Sequence, residues 1–317
     1  MSKKTSQILL TIFVITYDAA LIIICILLFH LTRPMTSNPL VYIPKGSTAS
    51  IIAYLVQKNF DLVAKIDIQL LKMIGQPQAG WVNIDSTQLS RGDFLYKLSH
   101  SKAALQTISL IPGETKEVFF TTLASTLNLS YDKLIQHYDE ATPYADGFLV
   151  PETYHVPIGI DEQELIEVIG SFSKKYHKES YEKLFGDFDE EKWYKFIVIG
   201  SIIQKEAASV DEMPVVSSVI YNRLKKEMKL QMDGTLNYGK YSHINVTAQR
   251  IREDTSSYNT YLNKGLPPYA IGSVSKEAFM AAIYPKQTNY LYFVKNKNGT
   301  HDFTENYETH LQNINHQ

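Results

Sequence analysis

Apolar positions are densest at the start of the chain. Ile8 to Leu31 is an almost unbroken apolar run of 24 residues, against about 20 needed to cross a bilayer, and it reads as a transmembrane helix. A cleaved signal sequence has a shorter apolar core and a small-x-small cleavage site, which the segment from His30 to Pro34 does not offer. Isoleucines precede Cys25, so no lipid-attachment site is expected there. Lys3 and Lys4 before the run and Arg33 after it bias the N-terminus toward the cytoplasm, which places the body of the chain outside it. Asp18 stands near the middle of the span, where charge is costly. It is read either as a contact for another membrane helix or as a protonated side chain bonded locally beside Tyr17.

Beyond Asn38 the pattern changes to short apolar runs, each stopped by Pro and Gly and followed by helical spacing. Val41 to Ser47 and Ser109 to Thr115 both read as a strand, a turn and a helix start, with Ser47 and Thr115 as the capping residues. Ile51, Ile52 and Leu55 mark the core face of the first helix, and Val118, Phe119 and Leu123 that of the second. A Ser-initiated helix over 129–135 and a return through 147–154 complete the later unit. From Asp161 to Glu191 the chain turns charged and helical, the pattern of a solvated helix face. Near the end, 290–294 alternates as a strand, 296–299 turns and 301–304 returns as a hairpin. The fold class these elements predict is α+β.

One helical stripe breaks its own rule. Ile199, Ile202, Ile203 and Glu206 share a face, so a carboxylate continues a row of aliphatic side chains. Poor hydration favours its protonated form, and a protonated carboxylic acid near neutral pH is what a general acid requires. The competing reading is a structural ion pair or a helix cap. A second helix follows, with Pro214 in its first turn, Val215, Val219, Ile220 and Leu224 at helical spacing, and an end near Met228. The chain then opens into Leu-Gln-Met-Asp-Gly-Thr (230–235), where Gln231, Asp233 and Thr235 alternate as groups able to bind sugar hydroxyls or amides. The Tyr-, Asn- and Pro-rich stretch from Tyr258 to Ala270 has little backbone freedom, which suits the wall of a groove holding a rigid polymer.

Composition narrows the field. With 31 basic and 33 acidic residues among 317, the chain lacks the clustered positive charge of a nucleic-acid surface. A single cysteine rules out an internal disulfide and a CxxC metal site. His155, His177 and His243 show no metal-ligand spacing, and neither a metal nor a cofactor is expected.

Five segments follow one another along the chain: Ser-Ile-Ile-Gln-Lys-Glu (201–206), Tyr-Asn-Arg-Leu (221–224), Leu-Gln-Met-Asp-Gly-Thr (230–235), Tyr-Asn-Thr-Tyr (258–261) and Gly-Leu-Pro-Pro (265–268). Through them the chain resembles the MltG/YceG family of membrane-anchored endolytic murein transglycosylases. The resemblance implies a short N-terminus (1–7), a transmembrane helix (8–31), a first extracytoplasmic α/β unit (38–104), a small LysM-like module (105–157) and a larger α/β catalytic domain (158–317).

It further implies that Glu206 protonates the linkage between N-acetylmuramic acid and N-acetylglucosamine, then accepts the proton of the muramoyl C6 hydroxyl, leaving a 1,6-anhydro end without consuming water. Asn222, Gln231, Asp233, Thr235, Tyr258 and Asn259 are the implied substrate-binding residues. Glu152 is a possible second carboxylate, and His301 matches a family position. The chain departs from the family's pattern at Ile-Pro-Gly-Glu (111–114), at Tyr269 to Ile271, and at Gln204, where many relatives carry Glu. The implied setting is the inner membrane, single-pass, on nascent peptidoglycan strands whose elongation it ends, near cell-wall synthases that Asp18 could contact. A noncatalytic glycan-binding scaffold of the synthesis complex is the alternative, and a murein hydrolase a third reading.

Overall fold

The structure, a computed structural model, describes residues 3–315. The chain divides into two compact units, one comprising residues up to 106 with 157–159, the other 107–156 with 160–317.

The first unit begins with α1 (Lys3–Thr32), whose stretch Gln7–Thr32 is long and apolar enough to cross a membrane. Its side chains from Ile8 to Phe29 are exposed, as a helix made for lipid contact requires. Strands β1 (Pro34–Thr36) and β2 (Leu40–Ile43) follow, then α2 (Thr48–Gln57), α3 (Ala64–Ile74), β3 (Gly80–Asn83), β4 (Gln88–Ser90) and α4 (Arg91–His100). β1 pairs antiparallel with β4, and β2 with β3. Ser47 caps α2 by accepting the Ser50 N–H, and Ile51, Ile52 and Leu55 are buried with Val82, Phe94 and Leu98 in one core.

Within this unit the last turn of α1 is held by a buried polar cluster. His30 Nε2 lies 2.7 Å from the fully buried Asp67 carboxylate of α3, and the equally buried Arg91 of α4 reaches His30 Nδ1 at 2.9 Å. These bonds select the tautomer protonated on Nε2. Asp67 also accepts the Val63 N–H, and Arg91 donates to the Asp61 carbonyl and pairs with its carboxylate at 3.0 Å. Every charge in the cluster therefore has a partner.

The second unit carries the larger core. β5 (Leu105–Ser109), α5 (Lys116–Leu127), α6 (Tyr131–Ala141) and β6 (Thr153–Pro157) come first, with β5 and β6 paired. Next are α7 (Glu162–Phe185), α8 (Glu190–Glu206), α9 (Met213–Lys225), α10 (Ala248–Glu253), α11 (Lys276–Ile283), the antiparallel hairpin β7 (Tyr292–Lys295) and β8 (His301–Thr304), and α12 (Tyr307–Asn315). Residues 107–156, most of the segment read as a LysM-like module, share one hydrophobic core with the later elements. Phe119, Phe120, Leu134 and Phe148 belong to the same cluster as Ile199, Ile202 and Ala278. The 111–114 turn is tied to the segment before α11, since Gly113 N–H donates to the Ser273 carbonyl and Ser273 N–H to that of Glu114.

α8 is the central beam. Trp193, Ile197, Ile199, Ile202 and Ile203 are all buried, and α8 packs on both α9 and α11. A Cβ on Gly200 would lie 2.8 Å from a Val274 methyl, so this helix comes close to the α11 segment only because position 200 has no side chain. Ser201, also buried, accepts the Ile271 N–H, and Gln204 Oε1 accepts that of Ser275 at the start of α11. The end of α8 is thus fixed from several sides.

Candidate active site

The last residue of α8 is Glu206. Ala207 turns the backbone to an extended conformation, leaving the carboxyl group at the negative end of the helix and against the buried stripe that precedes it. Burial is the largest influence on this group and the charge of Asp233 adds to it, while the Gly234 N–H, 2.6 Å from Oε1, works in the opposite sense. The balance raises the carboxyl to about 7. Near neutrality it therefore exists in both protonation states in comparable amounts, the condition for giving a proton and taking one back.

Gly234 makes this contact possible. A Cβ there would lie 2.8 Å from Glu206 Oε1 and 2.9 Å from Lys205 Cβ, so any other residue would push the 233–236 turn away from the acid.

That turn is built by polar groups satisfied inside the protein. Thr235 is fully buried, donating to the Met232 carbonyl and meeting Thr260 Oγ1 at 2.9 Å. Asn259, also fully buried, donates its amide to the carbonyls of Ile251 and Asp254 and accepts the Tyr261 N–H. Asn222 donates to the carbonyls of Thr288 and Tyr290. These three side chains hold backbone segments in place.

Gln231 and Asp233 instead line the cleft with Glu206. Gln231 has φ 51° and accepts a bond from Arg223, and Asp233 accepts the Tyr261 hydroxyl at 2.6 Å. Tyr258 stacks on Tyr238 at 4.2 Å, near enough to Asp146 and Glu117 for their charges to act on it, and is not among the residues lining the cleft. Glu152 also lies outside this lining, and it bonds the Thr153 N–H.

The cleft has a volume of about 400 Å³, within the range of small-ligand pockets. Besides the 230–233 loop, β7 and α12 contribute to its walls through Tyr292, Lys295, Tyr307 and His310. A carboxylate on the loop after α8 keeps the hairpin in position. Glu212 accepts the side chain and N–H of His301 and the N–H of Ala208, and although burial opposes it, these bonds hold Glu212 below the usual carboxylate range. The role of His301 here is architectural.

Arg223, Tyr261, Glu212 and α12 were not singled out from sequence. Arg223 had a legible signal, since it falls on the stripe Val216, Val219, Ile220 and Arg223 of α9 and repeats the pattern that drew attention to Glu206.

Asp233 gives a test of the electrostatics. Because its charge helps keep the proton on Glu206, Asp233→Asn is expected to lower the pKa of Glu206. The loss of the protonated acid on raising the pH should then begin at lower pH than in the parent, measured as the pH dependence of kcat/KM.

These features describe an α+β protein carried behind a helix of membrane-spanning length, with one poorly hydrated carboxyl group lining an open polar cleft. Residues 41–316 match the model of the YceG-like family, and the chain belongs to that family. It is similar to the endolytic murein transglycosylase of Bacillus subtilis, with 28% identity over 302 residues, covering 84% of this chain and 81% of that protein. A Streptococcus pneumoniae protein of the same name is 28% identical over 175 residues, 53% of this chain, and the match spans only 31% of the streptococcal chain. The crystal structure of a YceG-like protein from Listeria monocytogenes superposes with a TM-score of 0.55 at 24% identity, covering 86% of this chain and 97% of that one, and shows the shared fold.

Proposed function

We propose that this protein is an endolytic murein transglycosylase acting as a lyase, with Glu206 as its single acid and base. The observation that carries the reading is the carboxyl raised to about 7 and held by the Gly234 N–H at the cleft. Family membership and the names of the Bacillus and Streptococcus relatives support the substrate class.

In the proposed reaction, protonated Glu206 gives its proton to the oxygen joining N-acetylmuramic acid to N-acetylglucosamine, and the bond from that oxygen to the muramoyl C1 breaks. Positive charge developing at C1 is favoured by the nearby Asp233 carboxylate. The muramoyl C6 hydroxyl then bonds to C1, and its proton returns to Glu206. The enzyme ends as it began, and no water enters. Hydrolytic glycosidases ordinarily set two carboxyl groups across the bond, for a nucleophile or for activating water. Asp233, the other carboxylate lining the cleft, is already bonded to Tyr261, which suits electrostatic support better than either task. Gln231 and Asp233 would meet the sugars, while Asn222, Thr235, Tyr258 and Asn259 would shape the walls.

The apolar helix α1 would anchor the chain in the inner membrane, with its N-terminus cytoplasmic and both units outside. Cutting nascent strands there would end their elongation close to the synthases, and Asp18 is the residue through which α1 would meet a partner.

Digestion of uncrosslinked glycan strands by the full chain in detergent, followed by mass spectrometry of the chain ends, tests the reaction. Anhydro ends are expected. Reducing ends would make it a hydrolase, and binding without cleavage would leave a scaffold.

A further inference from the structure

Arg223 is 7% exposed and lines the cleft, yet its bonds all go to neutral acceptors. Nε donates to the Leu291 carbonyl at 2.6 Å, and one terminal nitrogen donates to the carbonyls of Lys229 and Leu230 and to the Gln231 amide oxygen. Among the described residues no carboxylate pairs with it. This is unlike the other deeply buried arginine, Arg91, which pairs with Asp61. A buried guanidinium without an anion carries an uncompensated desolvation cost, and such a charge beside an open cleft is matched to an anion that arrives from outside.

The surroundings extend the argument. The guanidinium carbon lies 5.1 Å from the centre of the Tyr292 ring, and the His310 ring stacks on Tyr292 at 5.2 Å. Burial and the neighbouring Arg223 both disfavour the charged form of His310, and its Nδ1 is buried without a partner. Lys295 and Tyr307, the latter 56% exposed, line the same cleft. His301, also in the lining, pairs with Glu212. The charge acting on Glu206 is that of Asp233, whereas the groups acting on Arg223 are the phenols of Tyr292 and Tyr261. Tyr261, bonded to Asp233, is acted on by the charges of both Glu206 and Arg223, so the acid and the guanidinium share one cleft around this ring, and a ligand that brings a neutral linkage to Glu206 and an anion to Arg223 would complement both.

We propose that the part of the cleft formed by Arg223, Lys295 and α12 binds a carboxylate of the peptide stem on the muramoyl sugar, so that the protein selects peptide-bearing over bare glycan. The ligand identity rests on the murein reading above, while the anion preference follows from the buried guanidinium itself. Tyr307 and Tyr292 would cover the apolar parts of the stem, and Arg223 and Lys295 would take its carboxylate, a charge-assisted contact of the strong kind.

The test separates binding from catalysis. The full-length Glu206→Gln protein in detergent is titrated with a disaccharide bearing a stem peptide, and with the same molecule whose peptide carboxylates are converted to carboxamides. Binding of the carboxamide form is expected to be about tenfold weaker, the scale of one charge-assisted hydrogen bond. Lys295→Glu, a surface change, should weaken binding of the carboxylate form and leave the carboxamide form unchanged. Arg223→Met should abolish the difference between the two ligands, with its melting temperature recorded alongside because Arg223 also ties the 229–231 loop to the hairpin. Equal affinities for both ligands in the parent, or failure to bind either, would overturn the proposal. If carboxylate-selective binding is seen while the unmodified enzyme leaves strands intact, the anion site stands and the lyase reading falls. If strands are cut to anhydro ends without carboxylate selectivity, the reverse holds.

Discussion

Glu206→Gln is expected to lower the rate of strand cleavage by about 10²- to 10⁴-fold, the usual contribution of a positioned general acid, and to raise the stability of the protein above pH 7. The two effects have one cause. Gln has the same shape and can still accept the Gly234 N–H, so the turn should not move, but it has no proton to give. The stability effect follows from linkage. Between the ordinary carboxyl value of 4.5 and about 7, the folded state holds a proton on residue 206 that the unfolded state has released. Stability therefore falls as pH rises through that window. Above pH 7 the folded protein carries a half-buried, poorly hydrated charge that Gln removes, whereas below 4.5 both states are protonated and the variant gains nothing on this account. Asp146, buried and likewise raised to about 7, titrates in the same window, so the variant should lose only part of the parent's pH dependence. Melting temperatures of parent and variant at pH 4, 6 and 8 measure this. A variant no more stable than its parent at pH 8 would show that residue 206 is well hydrated.

The second large effect is expected in the first unit. Arg91→Leu removes the cation from the His30, Asp67 and Arg91 cluster and leaves the fully buried Asp67 carboxylate with His30 and one backbone N–H. Arg91 faces Asp67 across the His30 ring, and losing that cation leaves the Asp67 charge uncompensated in the interior, a cost of up to about 3–5 kcal/mol. Hydrogen exchange on the full chain in detergent should show lost protection in α3, α4 and the last turn of α1, with α8 and α9 unchanged. Replacing both partners, as Asp67→Leu with Arg91→Leu, should be milder than Arg91→Leu alone, since no uncompensated charge then remains. Unchanged exchange in α3 and α4 of the single variant would mean that the cluster contributes nothing to holding α1.

Most of the α+β architecture was legible because its signals are local. Ser47 before a helical apolar spacing, Ser130 before Tyr131, and the alternation over 290–294 each need only a few neighbouring residues to be read. Glu206 was legible for the same reason, as a charge out of place on an aliphatic stripe.

The polar loop residues were harder because their partners are distant in sequence. Thr235 meets Thr260, Asn222 reaches Thr288 and Tyr290, and Asn259 bonds Ile251 and Asp254. Nothing in the local pattern distinguishes a polar side chain that faces a ligand from one satisfied by backbone folded beside it, and buried polar groups are usually of the second kind. Asp233 and Gln231 differ from their neighbours only in facing outward, which depends on the turn at Gly234. Arg223 lies beside Asn222 and on an apolar stripe, yet a long basic side chain at a helix end reads equally well as solvated. The part of α12 in the cleft wall had no local signature, because it follows from how the hairpin packs.

The proposed chemistry requires the Glu206 carboxyl to hold its proton near neutrality. Carbon-13 labelling of the glutamate side chains, with assignment by the signal that vanishes in Glu206→Gln, allows this group to be titrated directly by NMR in the intact protein. A midpoint of about 7 is expected. A midpoint near 4.5, the value of a hydrated glutamate, would mean that the carboxyl is ionised at neutral pH and has no proton to give.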